Sequence, residues 1–184
     1  MVCHDESGFS LKPPVRRTWT PRGQTPVLRP RFNGKRLHVI GTLVCQPDGN
    51  ACDLLLAVQE KPVQEEAIVA HLEALKHHRG GPIVLLREGL PSQRSAKVAQ
   101  YRGDNGDRLW VEPLPAYAPA LHPVEYVWSP MKGQDPANFC PDTIGQLRAQ
   151  VDKAHQRLRQ EPTELYDFLA ASGLFPSRHE RSSG

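Results

Sequence analysis

No stretch of this sequence approaches the roughly 18 consecutive apolar residues that a membrane span requires. The N-terminus, Met1-Val2-Cys3-His4-Asp5, lacks the basic-then-apolar order of a secretory signal. The expectation is a soluble, cytoplasmic protein with no membrane partner. Cysteine is scarce, and Cys3, Cys45, Cys52 and Cys140 contain no CxxC pair, which excludes a zinc ribbon and a thioredoxin-like redox motif. Cys45 and Cys52 flank a turn and could face each other across a hairpin. A reducing compartment nevertheless makes buried free thiols the expectation. Internal repeats and low-complexity tracts are missing too, so 184 residues read as one domain able to bury a core without staples.

The most uneven absence is of acid. From Ser7 to Pro47 there is no Asp or Glu, while Lys12, Arg16, Arg17, Arg22, Arg29, Arg31, Lys35 and Arg36 are all cationic, in a chain whose formal net charge is only +3. Trp19 and Phe32 interleave with these cations, which suits contact with a phosphate backbone together with base stacking. The candidate nucleic-acid-binding residues are therefore Arg16, Arg17, Trp19, Arg22, Arg29, Arg31, Lys35 and Arg36. A solvated basic loop is the plainer alternative.

Residues 1–5 read as the last residues of a strand, because only Met1 and Val2 precede the polar pair His4-Asp5. A strand start upstream of the chain is expected from this. Residues 10–36 form a Pro/Gly/Arg-rich connection. The β-rich runs 37–45 and 52–58, separated by Gln46-Pro47-Asp48-Gly49-Asn50, predict a hairpin. Apolar spacing over 63–78 predicts a helix ending at Gly80-Gly81. A buried strand over 82–86, a helix over 92–102, a strand over 108–112 and a helix over 124–132, just after Pro123, follow. Helices over 141–160 and 162–172 close the chain. This order is that of an α/β, ribonuclease H-like fold: a mixed five-stranded sheet flanked by helices, with extra C-terminal helices. The domain is placed at 1–175, with 176–184 a frayed polar tail.

Three acids stand at the ends of separate predicted elements. Asp5 follows the first strand, Glu88 follows Ile83-Val84-Leu85-Leu86, and Glu125 opens a helix at the end of the proline-punctuated loop running from Leu114 to Trp128. Such a convergence suggests a metal site, since hard oxygen ligands hold magnesium or manganese. Each acid alone has a plainer reading: Asp5 as a solvated cap, Glu125 as a carboxylate favoured by the helix dipole, Glu88 as a surface partner of Arg87 or Arg94. Trp110 and Trp128 read as core residues. His77-His78 reads as bonding the last helical carbonyls, and Tyr126 as packing.

Taken in order, Asp5-Glu6-Ser7-Gly8-Phe9, Arg17-Thr18-Trp19-Thr20-Pro21-Arg22-Gly23-Gln24, Gly89-Leu90-Pro91 and the loop ending in His122-Pro123-Val124-Glu125 resemble the DDE-type transposases of bacterial insertion sequences, in the mariner-related branch. The resemblance spans about residues 3–175. It implies a ribonuclease H-like domain in which Asp5, Glu88 and Glu125 hold two divalent ions, Mg2+ or Mn2+, for cleavage and strand transfer on DNA. DNA is the implied partner, and a homodimer is left open. The helix-turn-helix region that precedes the first acid in that family has no counterpart here, so it is expected to be encoded separately or lost. Glu88 stands where the family has aspartate, Arg87 and Ser92-Gln93 depart from its pattern, and His122 replaces an asparagine. These departures give one rival expectation, a catalytically impaired or inactive remnant that retains nonspecific DNA binding; the shared fold alone gives another, a nuclease acting on RNA or hybrids.

Overall fold

The computed structural model describes residues 1–11, 34–46, 51–87, 95–115, 119–133 and 141–173. At its centre lies β1 (Val2–Ser10), nine residues long. It pairs antiparallel with β2 (Arg36–Cys45), from Val2 opposite Val44 to Ser10 opposite Arg36. β2 pairs in turn with β3 (Cys52–Gln59), completing the predicted hairpin. On its other edge β1 runs parallel to β4 (Ile83–Arg87), and β4 runs parallel to β5 (Leu109–Pro113). The sheet order is β3-β2-β1-β4-β5, the mixed five-stranded sheet expected from the sequence.

Two expectations about the strands are corrected. Asp5 lies in the middle of β1, not at its end, because the chain from Glu6 to Ser10 stays paired with β2 and buries Phe9. β4 is not buried throughout, since Val84 is 41% exposed, and its neighbour Trp110 on β5 is 47% exposed instead of lying in the core. The helices that cover this face pack over β1, β2 and β3, away from the β4–β5 edge.

Strand alternation divides the core in two. On one face Cys3, Phe9, Leu37, Val39, Leu43 and Leu54 pack against α3 (Pro123–Gly133), α4 (Ile144–Arg159) and α5 (Pro162–Ala171). On the other, Val2, Val44, Ile83, Leu85 and Leu109 meet α1 (Glu65–Arg79) and α2 (Ala96–Asp104). Ile68, Leu72 and Leu75 bury one stripe of α1, which stops where Gly80 adopts φ 65°, a left-handed cap that glycine takes without Cβ strain. Thr143 caps α4, its hydroxyl accepting the Gln146 N–H at 3.2 Å.

The thiol expectation is also corrected at one pair. Cys45 and Cys52 stand directly opposite in the hairpin, with Cα atoms 4.2 Å apart, and form a disulfide. Close cross-strand placement, which the turn alone could not settle, brings the sulfurs together. Cys3 stays a buried free thiol, its pKa pushed up to about 12 by burial. His78 pairs with Asp53 at 3.1 Å instead of bonding helical carbonyls, while His77 is exposed. Among the described residues no helix is long and apolar enough to cross a membrane.

A polar chain is buried under α1. Thr42 Oγ1 lies 3.1 Å from His4 Nδ1 and 2.7 Å from His71 Nε2, all three residues being buried. Burial pulls the His71 pKa down to about 4. Burial, then the neighbouring His71, His122 and Arg87 charges, pulls His4 down to about 3. Both are therefore neutral when folded and bind protons more readily when unfolded. Their contribution to stability is fully present above pH 6.5 and is lost as pH falls toward these folded values. The expected slope is about 1.4 kcal/mol per pH unit for each group. Urea unfolding between pH 7 and roughly pH 4.5 should show it, and His71→Gln should remove about one proton from the slope. An identical slope in the variant would refute the role of His71.

Candidate active site

The site is built where α3 lies along β1. Val124, Val127, Trp128 and Met131 recur at helical spacing and are buried against the sheet, leaving Glu125, Ser129 and Lys132 exposed. Three polar contacts fix the helix in register with the strand. Near its start, the His122 ring Nε2 is 3.1 Å from the His4 carbonyl. Six residues on, Trp128 Nε1 donates to Asp5 Oδ2 at 2.7 Å. At its end, Lys132 Nζ donates to Ser7 Oγ at 2.7 Å and sits 5.3 Å from the Phe9 ring centroid.

Asp5 is only 4% exposed, so its carboxylate needs a hydrogen-bond donor, and the Trp128 indole supplies one. The indole reaches it across Gly41, the residue of β2 directly opposite Asp5. A Cβ at position 41 would overlap the six-membered ring of Trp128. Gly41 is thus required for close approach. Trp128 is a core residue, as expected, but its N–H also holds the acid in one orientation.

Glu125 is exposed in the first turn of α3, where the helix dipole favours a carboxylate. It stands three residues before Trp128, its neighbour across one helical turn. The helix bearing the third candidate acid is therefore the helix that touches the first. Glu88, the remaining candidate, lies outside the described residues. Its predecessor Arg87 pairs with His4 and Leu86 with Cys3, so alternation places Arg87 on the face opposite Asp5. The cation at this departure from the family pattern therefore stands away from Asp5. Among the described residues no three His, Cys, Asp or Glu side chains converge as a metal cluster.

Of the basic candidates, Arg16, Arg17, Trp19, Arg22, Arg29 and Arg31 lie outside the described residues. Lys35 and Arg36 are exposed where the chain enters β2, with Arg36 opposite Ser10 at the end of β1. Tyr126 donates its hydroxyl to the Ala120 carbonyl at 3.0 Å, so it pins the loop ahead of α3.

Sequence reasoning missed Gly41 and left His122 without a role. A glycine interrupting the run Leu37-His-Val-Ile-Gly-Thr was the available signal for the first. For His122 there was none, since its partner lies 118 residues away.

The family model described as DDE superfamily endonuclease matches residues 1–147. Among solved structures, the Mos1 transposase paired-end complex with left transposon end is similar at 19% identity and a TM-score of 0.61, over 96% of this chain and 56% of that one. The catalytic domain of Mos1 mariner transposase is similar at 16% identity and a TM-score of 0.54, over 96% and 83%. The same catalytic domain with Raltegravir and Mg gives 16% identity and 0.55, over 96% and 85%. The likeness shows the fold, which is ribonuclease H-like as expected. The chain spans 56% of the length of the Mos1 transposase in the paired-end complex. No curated protein matches the sequence.

The indole bond has a measurable weight. Trp128→Phe keeps most of the apolar volume and removes the donor to Asp5, which should cost about 2 kcal/mol in urea unfolding. An unchanged midpoint would show that the bond contributes nothing to stability.

Proposed function

We propose that this chain, which belongs to the DDE superfamily of endonucleases, is the catalytic part of a transposase that cleaves and joins DNA with the help of divalent metal ions. The observation that carries the proposal is the seating of α3 on β1, which brings the helix bearing Glu125 against the strand bearing Asp5 through a 2.7 Å indole–carboxylate bond. The Mos1 complexes with a transposon end support DNA as the partner, and the Mos1 catalytic domain solved with Mg supports the metal.

Asp5 and Glu125, with Glu88 as the third acid, are the residues that would hold the ions. The donor set fits: carboxylate oxygens suit Mg2+ and Mn2+. One is buried and oriented by a neutral donor, the other is exposed at the end of a helix, open to solvent. Bound ions would supply activation of water or a 3′ hydroxyl and stabilisation of the leaving oxygen. Trp128 keeps the Asp5 carboxylate in place by occupying Oδ2, which leaves Oδ1 to be offered to a cation. The cationic stretch 12–36 would hold the phosphate backbone, and the exposed Lys35 and Arg36 at its end support this reading.

Glu88 carries one methylene more than the aspartate that the resemblance leads one to expect, which displaces its carboxylate by about 1 Å, a misfit for octahedral Mg2+. Nicking of supercoiled plasmid in Mg2+ and in Mn2+ tests the proposal. The parent should nick, Asp5→Asn and Glu125→Gln should fall to background, and Glu88→Asp should nick faster. Circular dichroism would confirm that each variant is folded. Nicking by Asp5→Asn at the parent rate would overturn the assignment of Asp5. No nicking by the folded parent or by Glu88→Asp would overturn the catalytic reading and leave a DNA-binding remnant.

A further inference from the structure

We propose that His122 is a positioning residue that sets where Asp5 and Glu125 stand relative to one another; the inference rests on reading those two acids as metal ligands. His122 is completely buried at the junction between the loop and α3. Three contacts radiate from it. Its Nδ1 accepts the Val124 N–H at 3.3 Å, its carbonyl accepts the Glu125 N–H at 3.0 Å, and its Nε2 is 3.1 Å from the His4 carbonyl.

The first contact settles the chemistry of the third. With Nδ1 accepting, Nε2 carries the proton of the neutral ring and donates it to the His4 carbonyl. One planar side chain thus bridges the peptide that joins His4 to Asp5 and the first turn of α3 that presents Glu125. The bridge has a fixed length, because an imidazole has no torsion between its two nitrogens.

Few other side chains can do this. Lysine and arginine only donate, and a carboxylate only accepts. An amide offers one donor and one acceptor, as the asparagine of the resembling family does, although both hang from a single carbon and reach less far. Phenylalanine fills similar volume with neither function. Loss of the bridge would let the start of α3 shift along β1, although the contacts of Trp128 and Lys132 further along still tie helix to strand. Because divalent ions are bound by two or more acids at once, such a shift weakens affinity without removing a ligand.

The test is Mn2+ binding, followed as loss of the free-ion signal in electron paramagnetic resonance, on the full chain. The parent should bind and Asp5→Asn should not. His122→Phe should bind at least about tenfold more weakly. His122→Asn should recover most of the loss. Leu75→Ala, which destabilises the separate core under α1 on the sheet face opposite α3, should melt at lower temperature yet keep the parent affinity. If His122→Phe does not fold, His122→Ala is judged by the same criterion.

Parent-like affinity in His122→Phe, with affinity lost in Asp5→Asn, would overturn this inference and leave the metal reading intact. Weak binding by His122→Asn equal to that of His122→Phe would also overturn it, since a restored donor and acceptor would then be without effect. If the parent binds no Mn2+ more tightly than Asp5→Asn, the metal reading itself fails, and this inference with it.

Discussion

The contact between the Trp128 indole and the Asp5 carboxylate is the constraint around which the other elements are arranged. A carboxylate in the centre of a sheet must find a donor or suffer the cost of desolvation. The donor comes from a helix, so α3 must lie directly on β1. For the indole to pass, the strand beside β1 must carry no side chain at that register, and Gly41 meets this condition. The apolar stripe of Val124, Val127 and Met131 then follows, because a helix drawn to the sheet by one hydrogen bond must bury the rest of its face.

β1 is held from both sides as well as along both edges. Its backbone pairs with β2 and β4, Asp5 meets α3 on one face, and His4 joins Thr42 and His71 under α1 on the other. The His4 carbonyl in turn accepts from His122. Adjacent residues of one strand therefore anchor helices on opposite faces of the sheet, and the position of Asp5 is fixed by contacts to both.

Much of the fold was legible because it rests on local signals. The Pro-Asp-Gly turn predicts the β2–β3 hairpin, the apolar spacing and Gly80 predict α1 and its end, and Pro123 marks the start of α3. β1 was harder. The polar pair His4-Asp5 reads as the end of a strand, and only pairing with Arg36 to Val39, a contact between distant segments, shows that it continues. The exposure of Trp110 and the facing of Arg87 depend on which parts of the sheet the helices cover, and the periodicity of a single strand does not say. The Cys45–Cys52 disulfide was foreseen as a geometric option and set aside on grounds of compartment, which the register outweighs. Of the candidate site, Asp5 and Glu125 were readable from motif order. Trp128 as a donor and His122 as a bridge were not, for their partners are 123 and 118 residues away.

The choice of a neutral donor for Asp5 separates orientation from charge. An arginine reaching the same carboxylate would form a charge-assisted, bidentate pair, stronger than the single indole bond. It would also cancel the negative charge that a divalent cation needs. The indole has only one N–H and no formal charge, so it fixes the carboxylate while leaving its charge in place. A buried acid arranged in this way contributes less to stability than an ion pair of good geometry could. The deficit is the expected mark of a group kept for binding rather than for folding, because a bound cation would then find the charge already desolvated and already aimed.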